Sequence, residues 1–214
     1  MPSREAVMAA WPAPPGVHAL QTTRDGACPA LPSEPCWLEQ VHGVTVVAPV
    51  AGQAGLIADA AVTTERGVVL AVRTADCVPV LLCARDGSVV GAAHAGWRGL
   101  AAGVLEATVA AMSRKPGAII AWFGAHISQS AFEVGPEVRQ AFVDVDTRAA
   151  AAFRRGRDDR WYADLSLLAR QRLARVGVDE VFGAGLCTVA EPALFYSYRR
   201  ARENGRMASL IWRN

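Results

Sequence analysis

The chain has 214 residues, with 22 basic and 20 acidic side chains and a formal charge of +2. That length fits one domain, or two tightly packed halves, and can bury a sizeable core. The near balance of charge leaves no electrostatic footprint for nucleic acid or an anionic membrane, and no run reaches the roughly 20 apolar residues of a membrane helix.

The start, Met1-Pro2-Ser3-Arg4-Glu5, lacks the charged and then apolar layout of a signal peptide, so a cytoplasmic protein is expected. Residues 1–36, rich in proline, alanine and glycine, read as loop and edge structure. Val44 to Pro49 reads as a short strand, and the β-branched run Val68 to Thr74 as a longer one that stops at Ala75-Asp76-Cys77. Val78 to Cys83 resumes an apolar strand, Asp86-Gly87 supplies a turn, and Ser88 to His94 returns. From Arg98 to about Arg114, Leu100, Val104, Leu105, Thr108, Val109 and Met112 follow helical spacing. Ala118 to Phe123 is a further buried strand ended by Gly124, and Pro136 to Val143 a helix with proline in its first turn.

Asp164 can cap a helix carrying Leu165, Leu168, Leu173 and Val176, with Gly177 as its stop. The tail predicts two strands, Phe195 to Tyr198 and Met207 to Trp212, around a turn near Asn204-Gly205. Strands and helices in this irregular order indicate α/β or α+β architecture with mixed sheets. The five cysteines (28, 36, 77, 83 and 187) are odd in number and irregular in spacing, which favours reduced thiols over a disulfide framework.

Three possible metal ligands sit at strand ends: His42, Cys77 and His94. Their separations, 35 and 17 residues, exclude the paired knuckles of a zinc finger and suit delivery by separate strands. One thiolate and two imidazoles would leave a tetrahedral zinc with an open fourth position. Taken singly, each has a plainer reading: a buried cysteine is usually a small hydrophobe, and a strand-end histidine usually just hydrogen-bonds. The segment Ala95-Gly96-Trp97-Arg98-Gly99 joins a strand to a helix through glycines, a place where backbone N–H groups can meet an anion. Arg98 there either holds that anion, points to solvent or pairs with Asp76. His126 follows another strand end and could face the same pocket, although a lone histidine reads first as structural. Arg199, Arg200, Arg202 and Arg206 form a basic run, ordinarily a solvated face, from which one could reach a substrate anion.

Five ordered motifs narrow the reading: Trp37-Leu38-Glu39-Gln40-Val41-His42-Gly43, Thr74-Ala75-Asp76-Cys77-Val78-Pro79-Val80, Ala92-Ala93-His94-Ala95-Gly96-Trp97-Arg98-Gly99, Ala131-Phe132-Glu133-Val134-Gly135 and Phe195-Tyr196-Ser197-Tyr198-Arg199-Arg200. From about residue 37 onward the chain closely resembles the laccase-domain (YfiH-like, peptidoglycan editing factor) family. The resemblance implies a layered α/β/β/α sandwich, one domain over 1–214, in which 1–36 is a shortened N-terminal segment. It implies a metal, usually zinc with copper as the older description, on His42, Cys77 and His94, which are also the catalytic candidates. Arg98, Arg24, Gln40 and His126 are the candidate substrate contacts.

Members of that family are regarded as purine nucleoside phosphorylases for adenosine, inosine and methylthioadenosine, with adenosine deaminase activity in the same site. The expected partners are therefore purine nucleosides and phosphate, with a monomer or small homo-oligomer as the assembly. Deamination would use a metal that lowers the pKa of water for attack at C6 of adenine, and phosphorolysis would need phosphate held beside C1′. Two alternatives remain open. One is a copper polyphenol oxidase, which the chain's four histidines are too few to equip with a trinuclear cluster. The other is a hydrolase using Cys77 as nucleophile, acting on peptidoglycan precursors. Two departures from the family pattern bear on substrate range: the Ser-Leu-Asn-Leu-Gly stretch expected after Thr22-Thr23-Arg24 is missing, and Gly-Pro-x-Ile-Gly-Pro is replaced by Gly124-Ala125-His126-Ile127-Ser128-Gln129.

Overall fold

A computed structural model describes residues 6–183, 185–202 and 205–214. The N-terminal half supplies β1 (Val7–Met8), β2 (Val17–Gln21), β3 (Cys36–Glu39), β4 (Val46–Val47), β5 (Leu56–Ile57), β6 (Ala60–Thr63), β7 (Leu70–Thr74), β8 (Val78–Ala84) and β9 (Val90–Ala95). Then come α1 (Trp97–Ala102), α2 (Val104–Ala111), β10 (Ile119–Phe123), β11 (Glu133–Val134), α3 (Pro136–Val143), β12 (Phe153–Arg155), β13 (Trp161–Ala163), α4 (Leu165–Arg175), β14 (Val181–Gly183) and β15 (Met207–Arg213). Two six-stranded mixed sheets result, ordered β1-β2-β15-β7-β3-β5 and β14-β10-β8-β9-β6-β4, with a small sheet β11-β13-β12 beside them.

The alternation of side chains sorts the residues of β8 between two cores. Val78, Val80, Leu82 and Ala84 pack with Leu100, Val104, Leu105, Leu168 and Leu173 of the helices. Leu81 and Cys83 face Leu38, Leu70, Val72 and Ile211 of the other sheet. A strand buried on both faces has to read as an unbroken apolar run, which is how this segment reads. The helices gather over the second sheet. The outer face of the first sheet, with Leu20, Val69, Ala71, Leu210 and Trp212, is covered by Leu31 and Trp37.

The α/β layering with mixed sheets stands, and several expected elements need correction. The long helix from Arg98 is two helices, because Gly103 adopts φ +103° between them. Phe195 to Tyr198 is not a strand, and Ser197 and the Arg199 N–H instead bond the Asp76 carboxylate. Residues 1–36 are more than loop and edge: β2 lies between β1 and β15 inside the first sheet, its partner coming from the far end of the chain. The strand at Val44 to Pro49 shrinks to Val46–Val47. Asp164 caps α4 as expected, accepting from the Leu167 N–H at 2.9 Å. The starting pentapeptide and Asn204 lie outside the described residues. No described helix is long and apolar enough to cross a membrane, and all five cysteines are free.

Candidate metal centre

The hairpin β8–β9 sets the site. Its register pairs Pro79 with His94 and Val78 with Ala95, so Cys77, just before β8, falls beside Gly96, just after β9. On the other side of β9, β6 pairs Ala60 with Ala93, and the His94 N–H donates to the Asp59 carbonyl at 2.7 Å. His42 lies in the connection from β3 of one sheet to β4 of the other. Three sequence-distant residues are thereby brought together: the ligand atoms of His42, Cys77 and His94 all lie within 4.8 Å of one another. The two imidazoles meet edge to face with centroids 4.6 Å apart.

Asp59, fully buried, organises this arrangement. One carboxylate accepts the backbone N–H groups of Val41 (3.2 Å), His42 (2.9 Å) and Gly43 (2.6 Å), and lies 2.8 Å from His94 Nδ1. His42 has φ +60°, an unfavourable value for a residue with a Cβ, and the three N–H bonds hold it there. With Nδ1 directed at Asp59, Nε2 of the neutral His94 ring keeps its lone pair for a metal, the carboxylate–histidine arrangement common behind bound metals. Burial alone would raise the Asp59 carboxyl, but the His94 bond and the N–H groups of Gly43 and Val41 hold it below its ordinary range. Burial likewise works to lower His94, yet the Asp59 and Cys77 bonds push it up to about 9. These two partners favour positive charge at His94, whether a proton or a metal cation. Burial, then the neighbouring His94, lowers His42, which keeps its imidazole neutral and able to ligate.

The glycines of the Gly96–Gly99 turn have a steric role. A Cβ on Gly96 would stand 2.5 Å from His42 Nδ1 and 3.1 Å from Cys77 Sγ, and one on Gly99 would stand 2.7 Å from the Gly43 carbonyl. They let α1 pack directly on the ligand-bearing turn. Asp76, with φ +92°, precedes Cys77 and is buried. Its carboxylate accepts from Thr188 Oγ1 (2.5 Å), Ser197 Oγ (3.1 Å) and the Arg199 N–H (2.6 Å). Asp76 therefore binds the C-terminal segment and does not serve as the Arg98 partner.

A cavity of about 870 Å³ opens over the three ligands and is also lined by Gln40 and Arg98. Gln40 spends both amide groups on the Arg73 backbone, each at 2.8 Å, and so fastens β3 to β7. The remaining two candidates lie elsewhere. Arg24 donates to the Pro192 carbonyl at 2.8 Å and covers the Tyr196 ring, outside the cavity lining. His126 is buried, with Nδ1 2.8 Å from the Gly124 carbonyl, and is likewise absent from the lining. Asp59 was passed over by motif reading, and Asp76 was weighed only as a partner for Arg98, not as the anchor of the C-terminal segment. An acid at the edge of the apolar run Ala58 to Val62 was the available signal for the first.

The donor set fits a metal. One thiolate and two imidazoles converge, one imidazole is oriented by a carboxylate, and Gly96 keeps the space between His42 and Cys77 free of a Cβ. The fold and site define a layered α/β protein with one His-Cys-His cluster among the described residues. Residues 18–214 match the family described as multi-copper polyphenol oxidoreductase laccase, and the chain belongs to that family. It is 47% identical to the purine nucleoside phosphorylase YfiH of Shigella flexneri, over 94% of this chain and 96% of that protein. A purine nucleoside phosphorylase of Xylella fastidiosa is 45% identical, over 96% of each. The alignment with YfiH runs over 235 positions, longer than this 214-residue chain, so the relative carries additional segments. Among solved structures, a Neisseria meningitidis protein superposes with TM-score 0.92 at 41% identity, covering 98% of this chain and 99% of its own. YlmD of Geobacillus stearothermophilus gives 0.86 at 25% identity, with 100% and 98% covered.

Proposed function

We propose that this protein is a zinc-dependent purine nucleoside phosphorylase with adenosine deaminase activity in the same cavity. The observation that carries the reading is the joining of a three-donor metal centre and Arg98 in one cavity, in a chain whose relatives are named purine nucleoside phosphorylases. His42, Cys77 and His94 would hold the metal, and zinc suits this ligand number and softness. When bound, such an ion supplies Lewis acidity and lowers the pKa of water, the requirement for deamination at C6.

The chain's own groups do the rest. Arg98, its guanidinium 4.4 Å from the Trp97 ring centroid, offers a fixed fork for phosphate. A phosphate oxygen then bonds to C1′ as the C1′–N9 bond breaks and the purine leaves with the electron pair. The basis for Arg98 is its place in the lining and its cationic fork, since α1 has only six residues and ends at Gly103. The whole chain, 1–214, acts in this reading as one domain, alone or as a small homo-oligomer, with 1–36 as its shortened N-terminal segment.

The copper oxidase reading draws on the family's description. The other two histidines count against it: His18 stacks on Trp212 and bonds Asn214, and His126 faces the Gly124 carbonyl. Inosine and phosphate should give hypoxanthine and ribose 1-phosphate, and adenosine should give both adenine and inosine. Absence of base release by metal-replete protein, together with copper-dependent phenol oxidation that needs Cys77, would replace this reading with the oxidase.

A further inference from the structure

We propose that Asp76 is a positioning residue, which holds Cys77 toward the other two ligands and ties it to the C-terminal wall of the cavity. A metal ion at His42, Cys77 and His94 and the anchoring of Ser197 and Arg199 on Asp76 then stabilise each other. The proposal rests on the metal-centre reading and extends it to a residue outside the ligand set.

Very little chain carries Cys77 from one sheet to the other. β7 ends at Thr74 in the first sheet and β8 begins at Val78 in the second, so only Ala75, Asp76 and Cys77 make the crossing. The crossing is made with φ +92° at Asp76, a value that a residue with a Cβ adopts only at a cost. Among the described residues, the other non-glycine positions with positive φ are His42, Ser113, Asp158 and Asp159. The last three sit in exposed turns. His42 is a ligand, and Asp76 is the neighbour of another. Unfavourable backbone at such places persists only where the surroundings hold it. For His42 the hold is the Asp59 carboxylate, and for Asp76 it is the residue's own.

Asp76 is buried and is gripped from the C-terminal half of the chain. Its carbonyl accepts the Ile127 N–H at 2.9 Å, and its carboxylate accepts from Thr188 Oγ1, Ser197 Oγ and the Arg199 N–H. These three donors lie 112, 121 and 123 positions away in sequence, and Thr188 and Ser197 are fully buried. Bonds to a charged acceptor are strong and directional. Three of them fix the orientation of Asp76, and with it the place from which Cys77 starts. The donor set is thereby served by two buried acids: Asp59 sets His42 and His94, and Asp76 sets Cys77.

The far side of this latch is the cavity wall. Phe132, Tyr198 and Arg199 line the cavity, and the Arg199 guanidinium lies 5.4 Å from the Phe132 ring centroid while donating to the Glu133 carbonyl at 3.0 Å. The Arg199 N–H on Asp76 sets where that wall stands relative to Cys77. Linkage between two such places is reciprocal. A latch that favours the metal-binding position of Cys77 is itself favoured, by the same factor, when metal is bound there. Metal then completes the wall facing the substrate as well as the reactive centre, and the metal-free protein has a looser wall.

The test uses the full chain. Chelator competition gives zinc affinity, cobalt(II) substitution reads the thiolate bond through its charge-transfer band, and hydrogen exchange reads the Arg199 N–H. Thr188→Val and Ser197→Ala each remove one donor to Asp76 and leave residue 76 and the three ligands unchanged. Each should weaken zinc binding by roughly fivefold or more, the lower end of ordinary coupling between sites. Asp76→Asn keeps an acceptor and should lose less than Asp76→Gly, which adopts φ +92° freely but has no side chain to bond. In the parent, zinc should slow exchange at Arg199, and Cys77→Ala should abolish that slowing. Full zinc affinity in both donor variants, with the cobalt band unchanged, overturns the proposal and leaves Asp76 a purely structural anchor. Equal zinc affinity in Asp76→Gly and Asp76→Asn overturns it too, as does Arg199 exchange indifferent to zinc. Should the variants fail to fold, the parent's exchange with and without zinc decides alone. Absence of zinc binding by the parent overturns the metal-centre reading, and the proposal with it.

Discussion

The two ends of the cavity are built in opposite ways. At the metal end, side chains are placed by strand register and by one buried carboxylate with four bonds to its surroundings. At the rim, Arg202 is exposed and its neighbour Tyr198 is 47% exposed, on a segment without regular structure. The first is over-determined, as chemistry that tolerates little displacement requires. The second is held by side-chain stacking, can change without disturbing the core, and is the natural place for specificity to vary.

The largest effect should come from Asp59→Ala. It strips an acceptor from three part-buried N–H groups and from buried His94 Nδ1, and breaking the buried Asp59–His94 pair costs about 3–5 kcal/mol. Thermal melts should show a large loss of stability, and the surviving protein should bind little metal. Asp59→Asn, which keeps the shape, should weaken metal binding by roughly 10–100-fold. A normal melting temperature with full metal content in Asp59→Ala would break the contrast between the two ends.

Gly96→Ala comes next. Gly96 has φ −69°, so the backbone accepts alanine, but the new Cβ displaces His42 and crowds Cys77. Metal titration should show an affinity lower by on the order of tenfold or more, as expected when a ligand's orientation is lost. Unchanged affinity would show that His42 does not bind from its observed position.

His126, buried outside the cavity lining, tests the core instead. Burial lowers its pKa and outweighs the raising effects of the Gly124 carbonyl and Asp164, with a still smaller lowering from Arg170. The unfolded chain therefore binds the proton first. Its effect on stability is nil above about pH 6.5 and becomes a loss as pH falls from there toward the folded value. The slope from this one group is up to about 1.4 kcal/mol per pH unit. Denaturation curves between pH 7 and pH 5 should be flatter for His126→Gln than for the parent, and identical slopes would remove His126 from the account.

The smallest stability change belongs to Arg202→Ala, within about 0.5 kcal/mol for an exposed side chain, with metal content unchanged. A marked drop in melting temperature would make the rim a structural element.

The strands that carry Cys77 and His94 were legible because β8 and β9 are local, strongly apolar and joined by an Asp-Gly turn. The convergence of His42, Cys77 and His94 was expected from strand-like segment ends, although His42 lies in the connection past β3 and not at a strand end. Asp59 was not, since its importance depends on pairing with a residue 35 positions away, and no local pattern records that pairing. The Gly96–Gly99 turn was read for its N–H groups, but its glycines matter for the Cβ atoms they lack. Apolar spacing carried the helix reading straight across Gly103, since the periodicity of Leu100, Val104 and Leu105 survives the break. The arginine run 199–206 looked uniform, yet Arg200 is fixed by the carbonyls of Thr188, Val189 and Phe195, whereas Arg199, Arg202 and Arg206 line the cavity. Only tertiary structure separates them.

The central claim, that His42, Cys77 and His94 share one ion, is tested most directly by metal content. Protein purified without added metal should carry close to one zinc per chain by elemental analysis, and Cys77→Ala, handled identically, should lose most of it. An equal metal content in the two proteins would contradict the claim.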